Sequence, residues 1–144
     1  MLGEWPPAVM VHGLAQARRA AAVGCPVTLL SGPGAAVYAG CGWWRTVVEQ
    51  ARAEHPTVAI ADLLDCGESS AQALAALRLG LHNLVLWPSA PGWDAVAASA
   101  AARGGVVLRA APVALDLARR GAERRLHEWL MLRRTTDDSR PTLR

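Results

Sequence analysis

The chain reads as an α/β protein: a three-layer sandwich, with a four-stranded, mainly parallel sheet flanked by about five helices, flavodoxin- or Rossmann-like in character. Two observations predict it. One unit occurs three times, an Ala-rich helical stretch that stops at a Gly, a short apolar strand, and a Pro-containing turn. The copies are RRAAAVGCPVTLLSGP (Arg18–Pro33), ALAALRLGLHNLVLWP (Ala73–Pro88) and VAASAAARGGVVLRAAP (Val96–Pro112). Strands alternating with helices build parallel sheets through right-handed crossovers. The second observation is size and composition. With 144 residues, 52% hydrophobic and 19% charged, the chain fits one ordered domain that buries a core without disulfides or metals. That domain is expected over residues 1–134, with 135–144 as a flexible, polar, aperiodic tail.

Each element follows from local chemistry. Residues 1–11 hold Pro6 and Pro7 and are expected to be extended or loosely packed. A first helix is predicted over His12–Val23, ending at Gly24, which takes a positive φ without steric cost. Val27–Leu30 is the first predicted strand, followed by the loop Ser31-Gly32-Pro33-Gly34. A long helix over Ala35–Glu54 carries Val37, Val47, Val48 and Ala51, and His55-Pro56 ends it. The second strand lies within Val58–Cys66. Gly67–Ser70 is a turn, with Ser69 or Ser70 as N-cap of a helix over Ala71–Leu79. Asn83–Trp87 is the third strand, Pro88–Gly92 a turn, Trp93–Arg103 a helix and Val106–Arg109 the fourth strand. A last helix is predicted over Ala114–Leu132, because Leu115, Ala118, Ala122, Leu126, Trp129 and Leu130 share one helical face. A strand order of 2-1-3-4 is the first expectation. Half of an eight-stranded barrel, completed by a second copy, is the alternative.

Composition narrows function only by exclusion. All 15 basic residues are Arg, and Ala fills 29 positions, a pairing expected from a GC-rich genome. No basic run exceeds two residues and no aromatic residues interleave with them, so nucleic acid is not expected as a partner. The remaining route to one is the last helix, with Arg119, Arg120, Arg124, Arg125, Arg133 and Arg134. Three cysteines (Cys25, Cys41, Cys66) form no CxxC pair and require no disulfide. No secretory leader is expected at the N-terminus and no run of about 18 apolar residues occurs, so a cytoplasmic setting and no membrane partner are expected. An Ala-, Val- and Leu-based core without Phe is modest in energy, which points to a homo-oligomer.

Ligands of open parallel sheets bind beyond the carboxyl ends of the strands. The turns there are Ser31–Gly34, Asp62–Ser70, Trp87–Asp94 and Arg109–Val113. The first is the leading candidate: Gly32 and Gly34 allow close backbone approach, and the following helix start offers free N–H groups to a phosphate or carboxylate. The candidate ligand residues are Ser31, Gly32, Gly34, Asp62, Asp65 and Ser69. The string GPGAAVYAG lacks both the third Gly of a dinucleotide fingerprint and the GK[ST] of a P-loop, so no cofactor is assigned. Its residues resemble the strand-one loop of type II dehydroquinases, small flavodoxin-like proteins. That likeness covers under ten residues, and the family's Arg loop and His motif have no counterpart here, so its activity is not carried over.

The second turn supplies candidates for chemistry, Asp65 and Cys66. A thiol beside a helix start is a nucleophile when its pKa is lowered. Asp65 and Glu68 oppose that, and His12, His55, His82 and His127 are expected at helix ends or faces. Asp62, Asp65 and Glu68 around one turn more often solvate or cap than bind a metal, and no metal is assigned. Trp43 and Trp44 point about 100° apart on a helix. Together with Trp87 and Trp93 they are a candidate aromatic patch for a planar ligand or a subunit interface. The resulting expectation is a self-associating α/β protein that binds a small anion at Ser31–Gly34. The alternatives are a small transferase, lyase or hydrolase using the same edge, with Asp65, Cys66 or Ser31 reactive, and a nucleic-acid binder.

Overall fold

The structure is a computed structural model and describes residues 5–138. Six strands form one parallel sheet: β1 (Ala8–Val11), β2 (Val27–Ser31), β3 (Ile60–Asp65), β4 (Asn83–Val85), β5 (Val106–Leu108) and β6 (Ala114–Asp116). Six helices accompany them: α1 (Leu14–Ala22), α2 (Ala35–Tyr38), α3 (Cys41–Glu54), α4 (Ser70–Arg78), α5 (Trp93–Ala102) and α6 (Ala122–Asp138). The α/β class and the parallel sheet are as expected. The strand number is six and not four: β1 lies in the stretch expected only to be extended or loosely packed, and β6 in the stretch expected to be helical.

Both missed strands lie against each other in the sheet, which explains the miss. Ala8–Val11 follows Pro6-Pro7, yet the Pro6 and Pro7 carbonyls accept hydrogen bonds from Thr28 Oγ1 (2.8 Å) and Thr28 N (2.9 Å), so the Pro-Pro segment is tied to β2. Ala114–Asp116 pairs with Ala8–Met10. Asp116 then ends the strand locally, its Oδ1 accepting from Ala118 N at 2.9 Å. Arg119, Arg120 and Gly121 form the turn before α6, so the last helix begins at Ala122, not Ala114. Residues 135–138 continue that helix, and the rest of the expected tail, 139–144, lies outside the described residues.

The strand order is β5-β4-β3-β2-β1-β6. From β1 to β5 every crossover steps to the next neighbour in one direction, so the reversal in an order of 2-1-3-4 does not occur. Right-handed crossovers that all step one way put all their helices on one face. The packing agrees. One cluster joins Val9, Val11, Leu29, Leu64, Leu84, Val107 and Leu115 of the strands to Ala17, Ala20, Trp44, Val48, Ala76, Val96, Leu126 and Leu130 of the helices. Among the described residues the helix side chains join this face of the sheet.

On the opposite face Leu30, Leu63, Val85 and Leu108 form a second cluster with Trp5, Met10, Val106 and Ala114 against it, and no helix residue takes part among the described residues. Successive strand residues alternate faces, so this cluster is a row of strand side chains running across the sheet. Chain length bends that row. Residues 109–113 join β5 to β6, the two ends of the strand order. In a flat sheet the five strand intervals span about 24 Å, and β6 starts at the opposite end from where β5 stops. Leu108 to Ala114 reaches only roughly 20–22 Å at full stretch. The sheet is therefore curved and not flat, with Trp5 set against its helix-free side.

A curled sheet makes Leu63 a core residue, whereas on a flat one-sided sheet it would face water. We expect Leu63→Ala to lower the unfolding free energy by about 2–5 kcal/mol, and Leu74→Ala, on the outer side of α4, by about 0.5 kcal/mol or less. Urea denaturation of both variants checks this; near-equal small losses would mean an open sheet.

Candidate functional site at the carboxyl mouth of the sheet

Above the apolar layer the alternation continues into polar residues. His12 follows Met10 on the concave phase of β1, Gly32 follows Leu30 on β2, Asp65 follows Leu63 on β3, Trp87 follows Val85 on β4, and Asp116 follows Ala114 on β6. These positions lie along the carboxyl edge of the sheet, the edge at which open parallel sheets hold ligands.

His12 and Asp116 stand at the ends of neighbouring strands and are joined, Nε2 to Oδ1, at 2.7 Å; their side chains are 34% and 25% exposed. The His12 backbone N–H donates to Gln16 Oε1 at 2.8 Å, so the first turn of α1 fixes the residue's backbone. Burial pushes the Asp116 carboxyl up. The Ala118 N–H, the His12 hydrogen bond and the charges of His12 and Arg119 outweigh that, and its pKa is lowered. The carboxylate is therefore an acceptor, and Nε2 is the protonated nitrogen. Nδ1 is then the ring nitrogen that Asp116 does not engage. It faces Gly32 and Tyr38. A Cβ on Gly32 would lie 3.0 Å from His12 Nδ1 and 2.7 Å from the Tyr38 hydroxyl, so a larger residue here would crowd the His12 ring and displace Tyr38. Tyr38, at the end of α2, is 68% exposed.

The residues expected to bind an anion do converge, but around one another. Asp65 Oδ1 accepts from Gly34 N (3.0 Å) and Gly67 N (2.8 Å), and Ser31 Oγ accepts from Asp65 N (2.9 Å) and donates to the Gly32 carbonyl (3.2 Å). Gly34 holds φ +67° at the start of α2, a left-handed conformation that favours glycine. The Gly34 N–H is thus bonded to a carboxylate of the same chain. Asp62 lies away from the mouth, on the outer phase of β3, paired to Arg52 at 2.8 Å. Ser69 caps α4 by accepting from Gln72 N at 3.1 Å.

Cys66 is fully buried, and burial first, then Cys41 and Asp65, push its thiol up to about 12. It is a neutral thiol at physiological pH, without the activation a nucleophile needs. No group of three His, Cys, Asp or Glu is placed to hold a metal among the described residues, and no helix there is long and apolar enough to cross a membrane. Of the tryptophans, Trp44 is buried among the helices and Trp43 packs beside it, centroids 5.8 Å apart, so neither joins Trp87 and Trp93 at the mouth. Trp44 Nε1 has no hydrogen-bond partner among the described residues. The Arg-rich surface is divided: Arg19 pairs with Glu123 at 2.7 Å, Arg119 and Arg120 precede the helix, and the side chains of Arg133 and Arg134 lie outside the description.

His12, Tyr38 and Asp116 were not among the sequence candidates. The local signal was present. His12 directly follows the apolar run AVMV, and Asp116 follows the short apolar run after Pro112. Only the pairing of β1 with β6, more than a hundred residues apart in the chain, joins them. The chain matches no protein-family model, and comparison with curated proteins and with solved structures yields no match either.

Two outcomes follow from these bonds. Asp65→Ala leaves the Gly34 and Gly67 N–H groups without their acceptor and should cost about 2–3 kcal/mol in unfolding free energy, while Asp65→Asn, which keeps an oxygen, costs less. Acid stability has a defined sign. Glu54 is held at about 2, against an ordinary 4.5, by the Arg18 and Gln50 hydrogen bonds, and Asp116 is lowered as well. A carboxyl lowered in the folded state stabilises fully above its unfolded pKa and loses that contribution as pH falls through the folded value. The urea midpoint should therefore fall between pH 4.5 and about 2, and Glu54→Gln should flatten that fall.

Proposed function

We propose that the protein is a small enzyme of the transferase, lyase or hydrolase type, acting through proton transfer at His12 in the mouth of the curled sheet. The observation that carries this reading is the 2.7 Å His12–Asp116 pair across adjacent strand ends. The carboxylate holds the ring in one tautomer and stabilises the imidazolium formed when Nδ1 takes a proton, the same division of labour as in other His–carboxylate pairs. This reading is favoured over an anion seated on the Ser31–Gly34 loop, because Asp65 already holds the Gly34 N–H and would repel a second negative charge.

The test is incubation of the purified protein with a small-molecule cell extract, followed by mass spectrometry. Wild type should consume at least one compound over time. His12→Gln should slow that consumption by about a hundredfold or more, the usual worth of a general base, and Asp116→Asn should slow it too, with both variants folded by circular dichroism. Consumption unaffected by His12→Gln, or no compound consumed, would refute the proposal.

A further inference from the structure

Two sulfur atoms meet at the amino edge of the sheet. The thiol of Cys25, in the turn between α1 and β2, donates to the thioether of Met131 on α6, Sγ to Sδ 3.4 Å. Met131 is 42% exposed and Cys25 8%, so a small ion reaches the pair from solvent. The helix that carries Met131 is fixed about its axis. Leu126 and Leu130 are buried in the helical core, and Trp129 Nε1 donates to the Ala8 carbonyl at the start of β1 at 2.9 Å. One stripe of α6 therefore follows α1. Glu123 pairs with Arg19 of α1 at 2.7 Å, and Met131 meets Cys25 just beyond the end of α1. His127 lies between them on that stripe, four residues from each. Residues four apart are helix neighbours, with Cβ atoms about 5–6 Å apart, so the His127 imidazole is within reach of the Met131 sulfur. His127 is exposed and makes no hydrogen bond or ion pair among the described residues.

A thiol, a thioether and an imidazole on two adjoining segments form a donor set with a definite preference. Thiolate and thioether sulfur are soft and select copper(I), whereas calcium and magnesium take oxygen ligands and zinc closes a shell of four from thiolate, imidazole and carboxylate. Two sulfurs each about 2.3 Å from one ion stand about 3.8 Å apart in a tetrahedral shell. The pair has to open by only a few tenths of an ångström, and the unbranched Met131 side chain, with three rotatable bonds, supplies that movement. We propose that Cys25, His127 and Met131 form a binding site for a soft monovalent metal ion, copper(I), separate from the His12–Asp116 pair at the opposite edge of the sheet. Cys25 binds as the thiolate, its proton passing to solvent as the metal enters. Because one of the three ligands is a thioether, the site does not depend on a cluster of three acidic, histidine or cysteine side chains.

The test is a competition titration of the full chain, reduced and free of oxygen, with copper(I) held by the coloured chelator bicinchoninate. Wild type should withdraw one equivalent of copper(I) from the chelator. Met131→Leu conserves volume at an exposed position and His127→Gln changes an exposed ring, so both should keep the wild-type circular dichroism. Each should weaken copper binding by about tenfold or more, and Cys25→Ser should weaken it at least as much. Cys41 and Cys66 remain in all three variants, so uptake by those buried thiols would show as affinity that the substitutions leave unchanged. No copper withdrawn by wild type, or equal affinity in Met131→Leu or in His127→Gln, would overturn the proposal. An excess of zinc(II) should leave the copper in place; displacement by zinc would refute the assigned metal.

Discussion

Five residues, 109–113, connect the strand at one end of the sheet to the strand at the other, and that short tether controls the molecule's shape. A flat parallel sheet of six strands is too wide for them to cross. Curvature of the sheet resolves this. Leu30, Leu63, Val85 and Leu108 are buried on the face where no helix residue packs among the described residues. The helices pack on the other face, where Ala17, Ala20, Ala51, Ala73, Ala76 and Ala100 let them approach the strands closely. The Ala-rich composition suits this outer layer: small residues pack helices tightly, while Leu and Val in the strands supply the apolar area.

The curl also decides what the mouth contains. Along each strand the concave phase runs from apolar residues at the middle to His12, Gly32, Asp65, Trp87 and Asp116 at the carboxyl end. The polar residues there divide by the partners they have. Asp65 and Ser31 are buried and bonded to backbone groups of neighbouring loops; they hold the rim in shape. His12 and Asp116 are partly exposed and bonded to each other, leaving one ring nitrogen without a structural bond. A group that is both oriented and incompletely used is what proton transfer requires.

Glycine at position 32 illustrates how packing and chemistry meet. Any larger residue would bring a Cβ to 3.0 Å from His12 Nδ1 and 2.7 Å from the Tyr38 hydroxyl. The same loop was singled out in the sequence for its glycines, on the argument that they admit a ligand's phosphate. The geometry assigns one of them to a different approach, that of two side chains of the protein itself.

The repeated helix–Gly–strand–turn unit was enough to locate four of the six strands and the helices between them, because those elements follow from local periodicity and from Gly and Pro at their ends. The carboxyl edge, and the convergence of Ser31, Gly34 and Asp65 upon it, followed from the same pattern. β1 and β6 escaped for a physical reason. Each is four residues or fewer, one is preceded by Pro-Pro, and the other begins a stretch whose apolar spacing also fits a helix. Their strand character comes from pairing with each other, a contact no local window contains. The sequence by itself determined the alternation of elements and hence a parallel α/β sheet. Tertiary structure alone decided the direction of each crossover, the curl imposed by the 109–113 tether, and the meeting of His12 with Asp116, because these depend on hydrogen bonds and chain-length limits between segments a hundred residues apart.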